Sequence, residues 1–123
     1  MPTILVVEDN LQNMKLARFI LEEGGYTVLE GHSADEGIEM AKQIIPDLIL
    51  MDVQLPGKDG LSAINELRNE KATSKIKIIA LTALAMQGDK DKILAAGADG
   101  YLSKPYHYKD LLSNVKYVLE EVR

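Results

Sequence analysis

The sequence predicts a doubly wound α/β fold, one five-stranded parallel sheet with helices on both faces. Three observations predict it. Apolar runs of strand length alternate five times with stretches of helical period, the pattern of repeated β-α units. The runs Ile4-Leu5-Val6-Val7, Leu48-Ile49-Leu50-Met51 and Ile78-Ile79-Ala80-Leu81 lack polar alternation, as strands buried on both sides require. The length of 123 residues fits a single compact domain, with nothing appended as an effector.

The first strand is read at Thr3 to Val7. Asn10 then caps a helix from Leu11 to about Glu23, stopped by Gly24-Gly25. Thr27 to Glu30 is a second strand, mixed enough in polarity to suit a sheet edge. Ser33-Ala34-Asp35-Glu36 is an S-x-x-E capping box, and the helix it opens must end before Pro46. The third strand is Leu48 to Met51. The helix after it begins near Gly60 and carries Leu61, Ile64 and Leu67 on one face. Lys77 to Leu81 is the fourth strand, followed by a short polar helix over about Gly88 to Ala96, with Gly97 as its stop. Gly100 to Leu102 is the fifth. The last helix is marked by the stripe Leu111, Val115, Val118 and Val122, with Leu112 and Leu119 beside it.

Composition narrows the function classes. Hydrophobic residues make up 46% and charged residues 27%, a balance suited to a globule that buries a sizeable core. Fourteen basic against nineteen acidic residues give a net charge of −5, which repels phosphate backbones and argues against direct nucleic-acid binding. The absence of cysteine excludes disulfides, thiolate nucleophiles and Cys-ligated zinc. The longest aliphatic runs are about a fifth of a membrane span, and the first strand runs straight into Glu8-Asp9 where a signal peptide would continue. A cytoplasmic protein with no membrane contact is the expectation.

In an open parallel sheet, sites form beyond the carboxyl ends of the strands, where strand order reverses. That filter leaves Glu8-Asp9-Asn10, Asp52, Thr82-Ala83 and Ser103-Lys104-Pro105. Crowded carboxylates are costly, since two unit charges about 4 Å apart at an effective dielectric of ~20 repel by roughly 4 kcal/mol. Hard oxygen donors without His or Cys suit Mg²⁺ or Mn²⁺, and Glu8, Asp9 and Asp52 match that demand. A carboxylate is also a covalent nucleophile for phosphorus, and Asp52, on a central strand, is the choice for that role. A metal on one side and the Lys104 ammonium on the other would hold the charge of a transferring phosphoryl group. The Thr82 hydroxyl and the Ala83 backbone N–H would donate to its oxygens. His32 and His107 are isolated and receive no role, and Met14, Met40 and Met51 are read as packing residues.

At these residues the sequence resembles a response-regulator receiver domain, the phosphoacceptor module of two-component signalling. The resemblance runs from Ile4-Leu5-Val6-Val7-Glu8-Asp9-Asn10 through Pro46-Asp47-Leu48-Ile49-Leu50-Met51-Asp52 and Leu55-Pro56-Gly57 to Leu81-Thr82-Ala83 and Ser103-Lys104-Pro105. Asn10, Asn13-Met14-Lys15-Leu16 and Ala85-Met86-Gln87-Gly88-Asp89 further resemble single-domain members that carry no output domain. The resemblance implies a flavodoxin-like (βα)5 receiver fold over residues 1–123. It implies that Asp52 accepts a phosphoryl group from a histidine kinase or histidine phosphotransferase, and that Glu8, Asp9, Asp52 and the Gln54 backbone carbonyl hold Mg²⁺. It further implies that Thr82, Ala83 and Lys104 contact the phosphoryl group, that the Lys104-Pro105 bond is cis, and that Tyr101 is a switch aromatic coupled to Thr82. Gln54 and Leu84 occupy the family's two variable positions beside the route of an attacking water. The first acid is Glu8 where many relatives have Asp.

A phosphoryl group adds a charge near −2, and contacts with it would favour one of two arrangements of the protein. The expected readout is a protein-binding surface on or near which Leu84, Met86, Tyr101, Tyr106 and Tyr108 lie, so the downstream partner is another protein. Three other readings compete. A receiver cut from a hybrid histidine kinase would look the same. A Mg²⁺-dependent phosphatase passing through an aspartyl phosphate would carry D-x-D at the nucleophile, where this chain has Asp52-Val53-Gln54. A mononucleotide binder on the same fold would want a Gly- or Ser-rich loop after the first strand, where Glu8-Asp9 would repel phosphate.

Overall fold

The structure is a computed structural model that describes residues 2–83 and 87–120. Five strands alternate with five helices in the order β1 (Thr3–Val7), α1 (Leu11–Glu23), β2 (Thr27–Gly31), α2 (Ala34–Ile44), β3 (Leu48–Asp52), α3 (Gly60–Asn69), β4 (Lys77–Thr82), α4 (Gln87–Ala96), β5 (Gly100–Ser103) and α5 (Tyr108–Glu120). All neighbouring strands pair in parallel, in the order β2-β1-β3-β4-β5.

This order explains the layering. Right-handed crossovers place a helix on one face when the chain steps one way along the sheet and on the opposite face when it steps back. The step from β1 to β2 runs against all later ones, so α1 lies opposite α2, α3 and α4. Because side chains alternate along a strand, each central strand feeds both layers. Leu5, Val7, Ile49, Met51, Ile78 and Ala80 pack under α2 and α3, while Ile4, Val6, Leu48, Leu50, Ile79 and Leu81 pack under α1 and α5. This double duty is why those runs show no polar alternation.

Local signals behave as their chemistry requires. The Asn10 side chain accepts the Asn13 N–H, and the Ser33 side chain accepts that of Glu36. The chain leaves α2 through Ile45 in the left-handed region at φ 52°, just ahead of Pro46. Gly25 and Gly97 take positive φ after their helices.

Four strand ends run past the sequence reading, β2 ending at Gly31 rather than Glu30, and three of them do so in an informative way. β3 ends at Asp52, β4 at Thr82 and β5 at Ser103, each one residue later than the apolar run. The terminal polar residues stay in the hydrogen-bonded ladder, with Asp52 opposite Leu81 and Thr82 opposite Ser103. In α3 the buried set is Gly60, Ala63, Ile64 and Leu67, and Leu61 is only half-buried. Val122, expected on the α5 stripe, lies outside the described residues; Leu111, Val115 and Val118 are buried.

Candidate phosphoacceptor site

The sheet's reversal point lies between β1 and β3, and their carboxyl ends bring Glu8, Asp9 and Asp52 together. One carboxylate oxygen from each falls within 4.8 Å of the others. Glu8 and Asp52 are almost fully buried at 2% and 3% exposure, whereas Asp9 faces solvent.

Ladder bonds and nearby amides fix these groups. The Glu8 N–H donates to Gly31 O at 3.0 Å, and the Glu8 carboxylate accepts the Asn10 N–H at 3.2 Å. Asp52 Oδ1 accepts the Gln54 N–H at 2.9 Å, and the Val53 N–H donates to Leu81 O at 2.8 Å. The Asp52 side chain is therefore held at its base by strand pairing and at one oxygen by the following loop.

Lys104 enters from the loop after β5. Its backbone N–H donates to Thr82 O at 2.7 Å, and its Nζ bridges Glu8 Oε1 at 2.7 Å and Asp52 Oδ2 at 3.1 Å. Burial pulls the ammonium's pKa down, but hydrogen bonds and charge from Glu8 and Asp52 together outweigh it and hold Lys104 above the ordinary lysine value. Burial is also the main force on Glu8, raising its pKa, with Asp52 adding to the rise and Lys104 opposing it. One ammonium thus offsets part of a three-carboxylate cluster. Thr82 is buried at the end of β4, and the Lys104-Pro105 peptide bond is cis.

Two arrangements escaped the sequence reading. The Gln54 side-chain Oε1 accepts the Ala83 N–H at 3.3 Å, across the mouth of the site. Lys104 touches Glu8 as well as Asp52, a contact that its expected role toward a phosphoryl group does not imply. The aromatic residues separate. Tyr101 is half-buried, packs against the layer under α2 and α3, and has Lys90 Nζ 5.7 Å from its ring centroid. Tyr106 and Tyr108 instead border a cavity of about 630 Å³ whose other wall is Leu16 and Phe19 of α1. Burial raises the pKa of the Tyr106 hydroxyl. Leu16 and Phe19 are exposed, off the Met14-Ala17-Leu21 stripe of α1, and that displacement was the available signal for them. Leu84 and Met86 lie outside the described residues.

Comparison with known proteins agrees with this geometry. The family described as the response regulator receiver domain matches residues 4–116. The chain belongs to the response regulator receiver family. Among curated relatives, the polar-differentiation response regulator DivK of Brucella ovis is 38% identical over 117 residues, covering 95% of each protein. Among solved structures, the receiver domain of a sensor histidine kinase of Pseudomonas aeruginosa, with a magnesium ion coordinated in its active-site cleft, matches with a TM-score of 0.90 and 36% identity over 98% of each chain. The chemotaxis protein CheY4 of Vibrio cholerae matches with a TM-score of 0.90 and 26% identity, over 96% of this chain and 98% of that one. The receiver is thus DivK-like, with the acidic cluster suited to magnesium. Among the described residues, no helix is long and apolar enough to cross a membrane.

Proposed function

We propose that this chain is a single-domain response regulator that takes a phosphoryl group onto Asp52 from a phosphohistidine of a histidine kinase or histidine phosphotransferase, and signals by binding another protein. The observation that carries the reading is the convergence of Glu8, Asp9 and Asp52 with Lys104 at the carboxyl ends of β1, β3 and β5. In the transfer, an Asp52 carboxylate oxygen forms the new P–O bond as the P–N bond of the donor breaks, and the imidazole leaves with the electron pair.

Oxygen donors alone, two of them almost fully buried, make a hard and strongly negative set that fits Mg²⁺ or Mn²⁺. Glu8, Asp9, Asp52 and the Gln54 carbonyl would hold the ion, which supplies charge neutralisation when bound. The chain's own residues do the rest. Ladder pairing orients Asp52, Lys104 is poised to move from carboxylate to phosphoryl oxygen, and Thr82 and the Ala83 N–H offer further donors. Capture of Thr82 by the phosphoryl group would be relayed through Tyr101 to a partner-binding surface around α4 and β5. The single-domain reading rests on the likeness to DivK, of which the chain covers 95%.

A second reading, a receiver belonging to a hybrid kinase, is favoured by the likeness to the Pseudomonas aeruginosa kinase receiver. Incubating wild-type and Asp52→Asn protein with acetyl phosphate or a phosphorylated kinase tests the shared chemistry. Labelling is expected for the wild type alone, and undiminished labelling of the variant would overturn the assignment of Asp52. Phosphotransfer profiling against the organism's kinases separates the two readings.

A further inference from the structure

We propose that the Gln54 side chain is a positioning group that occupies the Ala83 N–H in the resting protein and must release it when Asp52 is phosphorylated, so that Gln54 opposes phosphoryl capture. This rests on the reading of Asp52 as phosphoacceptor and of Ala83 as a phosphoryl donor. It adds a competitor for that donor.

The geometry is specific. Gln54 is tethered at both ends to groups the reaction uses. Its backbone N–H is given to Asp52 Oδ1 at 2.9 Å, and its Oε1 takes the Ala83 N–H at 3.3 Å. The second bond spans 29 positions in the chain and ties the loop after β3 to the end of β4. It sits beside Thr82, whose carbonyl receives the Lys104 N–H. A backbone N–H makes one well-aligned hydrogen bond, so a phosphoryl oxygen and the carboxamide oxygen compete for the same hydrogen.

The competition has a definite winner and a definite cost. The resting bond is long and joins neutral groups, whereas a phosphoryl oxygen makes shorter, charge-assisted bonds of roughly twice the strength. Exchange therefore favours the phosphorylated state. Gln54 is exposed, so its carboxamide passes into water without stranding a buried polar atom. What remains is the loss of one neutral hydrogen bond, which weakens phosphoryl capture by about three- to tenfold relative to a chain with no acceptor at this position.

Beryllofluoride with Mg²⁺ is the suitable probe, because it mimics the phosphoryl group and is not hydrolysed. Wild-type, Gln54→Leu and Gln54→Glu proteins are titrated with it, and the Ala83 amide is followed by NMR. Gln54→Leu, of similar size and without an acceptor, is expected to bind about three- to tenfold more tightly than wild type. Gln54→Glu, which keeps the acceptor and adds negative charge, is expected to bind more weakly. The Ala83 amide resonance should differ between wild type and Gln54→Leu in the resting state and coincide once beryllofluoride is bound, a signature that a purely structural role would not give. Equal or weaker binding by Gln54→Leu, or an unchanged resting Ala83 resonance, would overturn the proposal while leaving Asp52 in place. Failure of the wild type itself to bind would overturn the underlying reading as well.

Discussion

Lys104 shows how one residue settles the electrostatics of the site. It spans two nearly buried carboxylates at 2.7 and 3.1 Å, and removing one partner of such a group leaves the others uncompensated. Lys104→Met keeps the length of the side chain and loses the charge. It is expected to destabilise the magnesium-free protein by about 2 kcal/mol, measured by urea denaturation. Addition of millimolar MgCl₂ should recover much of the loss, because a divalent cation replaces the missing neutralisation. Equal destabilisation with and without the metal would refute that account. The composition of the cluster is legible in the sequence, since Glu8 and Asp52 directly follow apolar runs and Asp9 and Lys104 come one residue later. The Glu8 contact was not. It depends on β1 and β3 being neighbours and on the loop after β5 passing over the end of β4, and a linear string does not contain strand order.

At the scale of elements, two sets of contacts from α3 hold the loops at the two ends of the strands. The start of α3 meets the end of β3 at Gly60, whose N–H donates to Val53 O at 2.9 Å. A Cβ there would overlap Asp52 O and stand 2.6 Å from Val53 Cα, both backbone atoms with nowhere to go. Gly60→Ala must therefore push α3 away from the strand that carries Asp52. Labelling by acetyl phosphate is expected to slow by roughly ten- to hundredfold, the scale on which an ångström of misplacement acts, with the far-ultraviolet circular dichroism retained. At the other end of α3, Arg68 donates to Gly97 O, Ser74 O and Ile76 O and pairs with Asp99 Oδ2 at 2.7 Å. Asp99 in turn accepts the Ile78 N–H at 2.8 Å, so one guanidinium ties the loops before β4 and β5 to α3. Arg68→Ala should cost about 2–4 kcal/mol in urea denaturation, and a loss below ~1 kcal/mol would show that water replaces these bonds. Helix caps and turn glycines were readable because their chemistry is local, as Asn10 and Ser33 demonstrate. Arg68 gave no such signal, since its partners lie as far as 31 positions away. The ends of β3 and β4 were read one residue short because hydrophobicity stops before hydrogen bonding does.

At the scale of the molecule, both helical layers share the five strands of one sheet, so neither keeps its backbone pairing if the other is lost. Unfolding is expected to be a single cooperative transition, with circular dichroism and tyrosine fluorescence superimposed across the urea range. Separated midpoints would show that one layer opens first. The alternation of the central strands has another result: among the described residues, Ile38 and Ile64 belong to one packed cluster and Val115 and Leu21 to the other, with the sheet between them. Paired truncations across the sheet should combine additively within about 0.5 kcal/mol, while pairs within one layer should not. Such insulation lets either flank drift over generations without forcing repair on its opposite number. A lineage could then acquire a new interlocutor on one side while its conversation on the other stays intelligible.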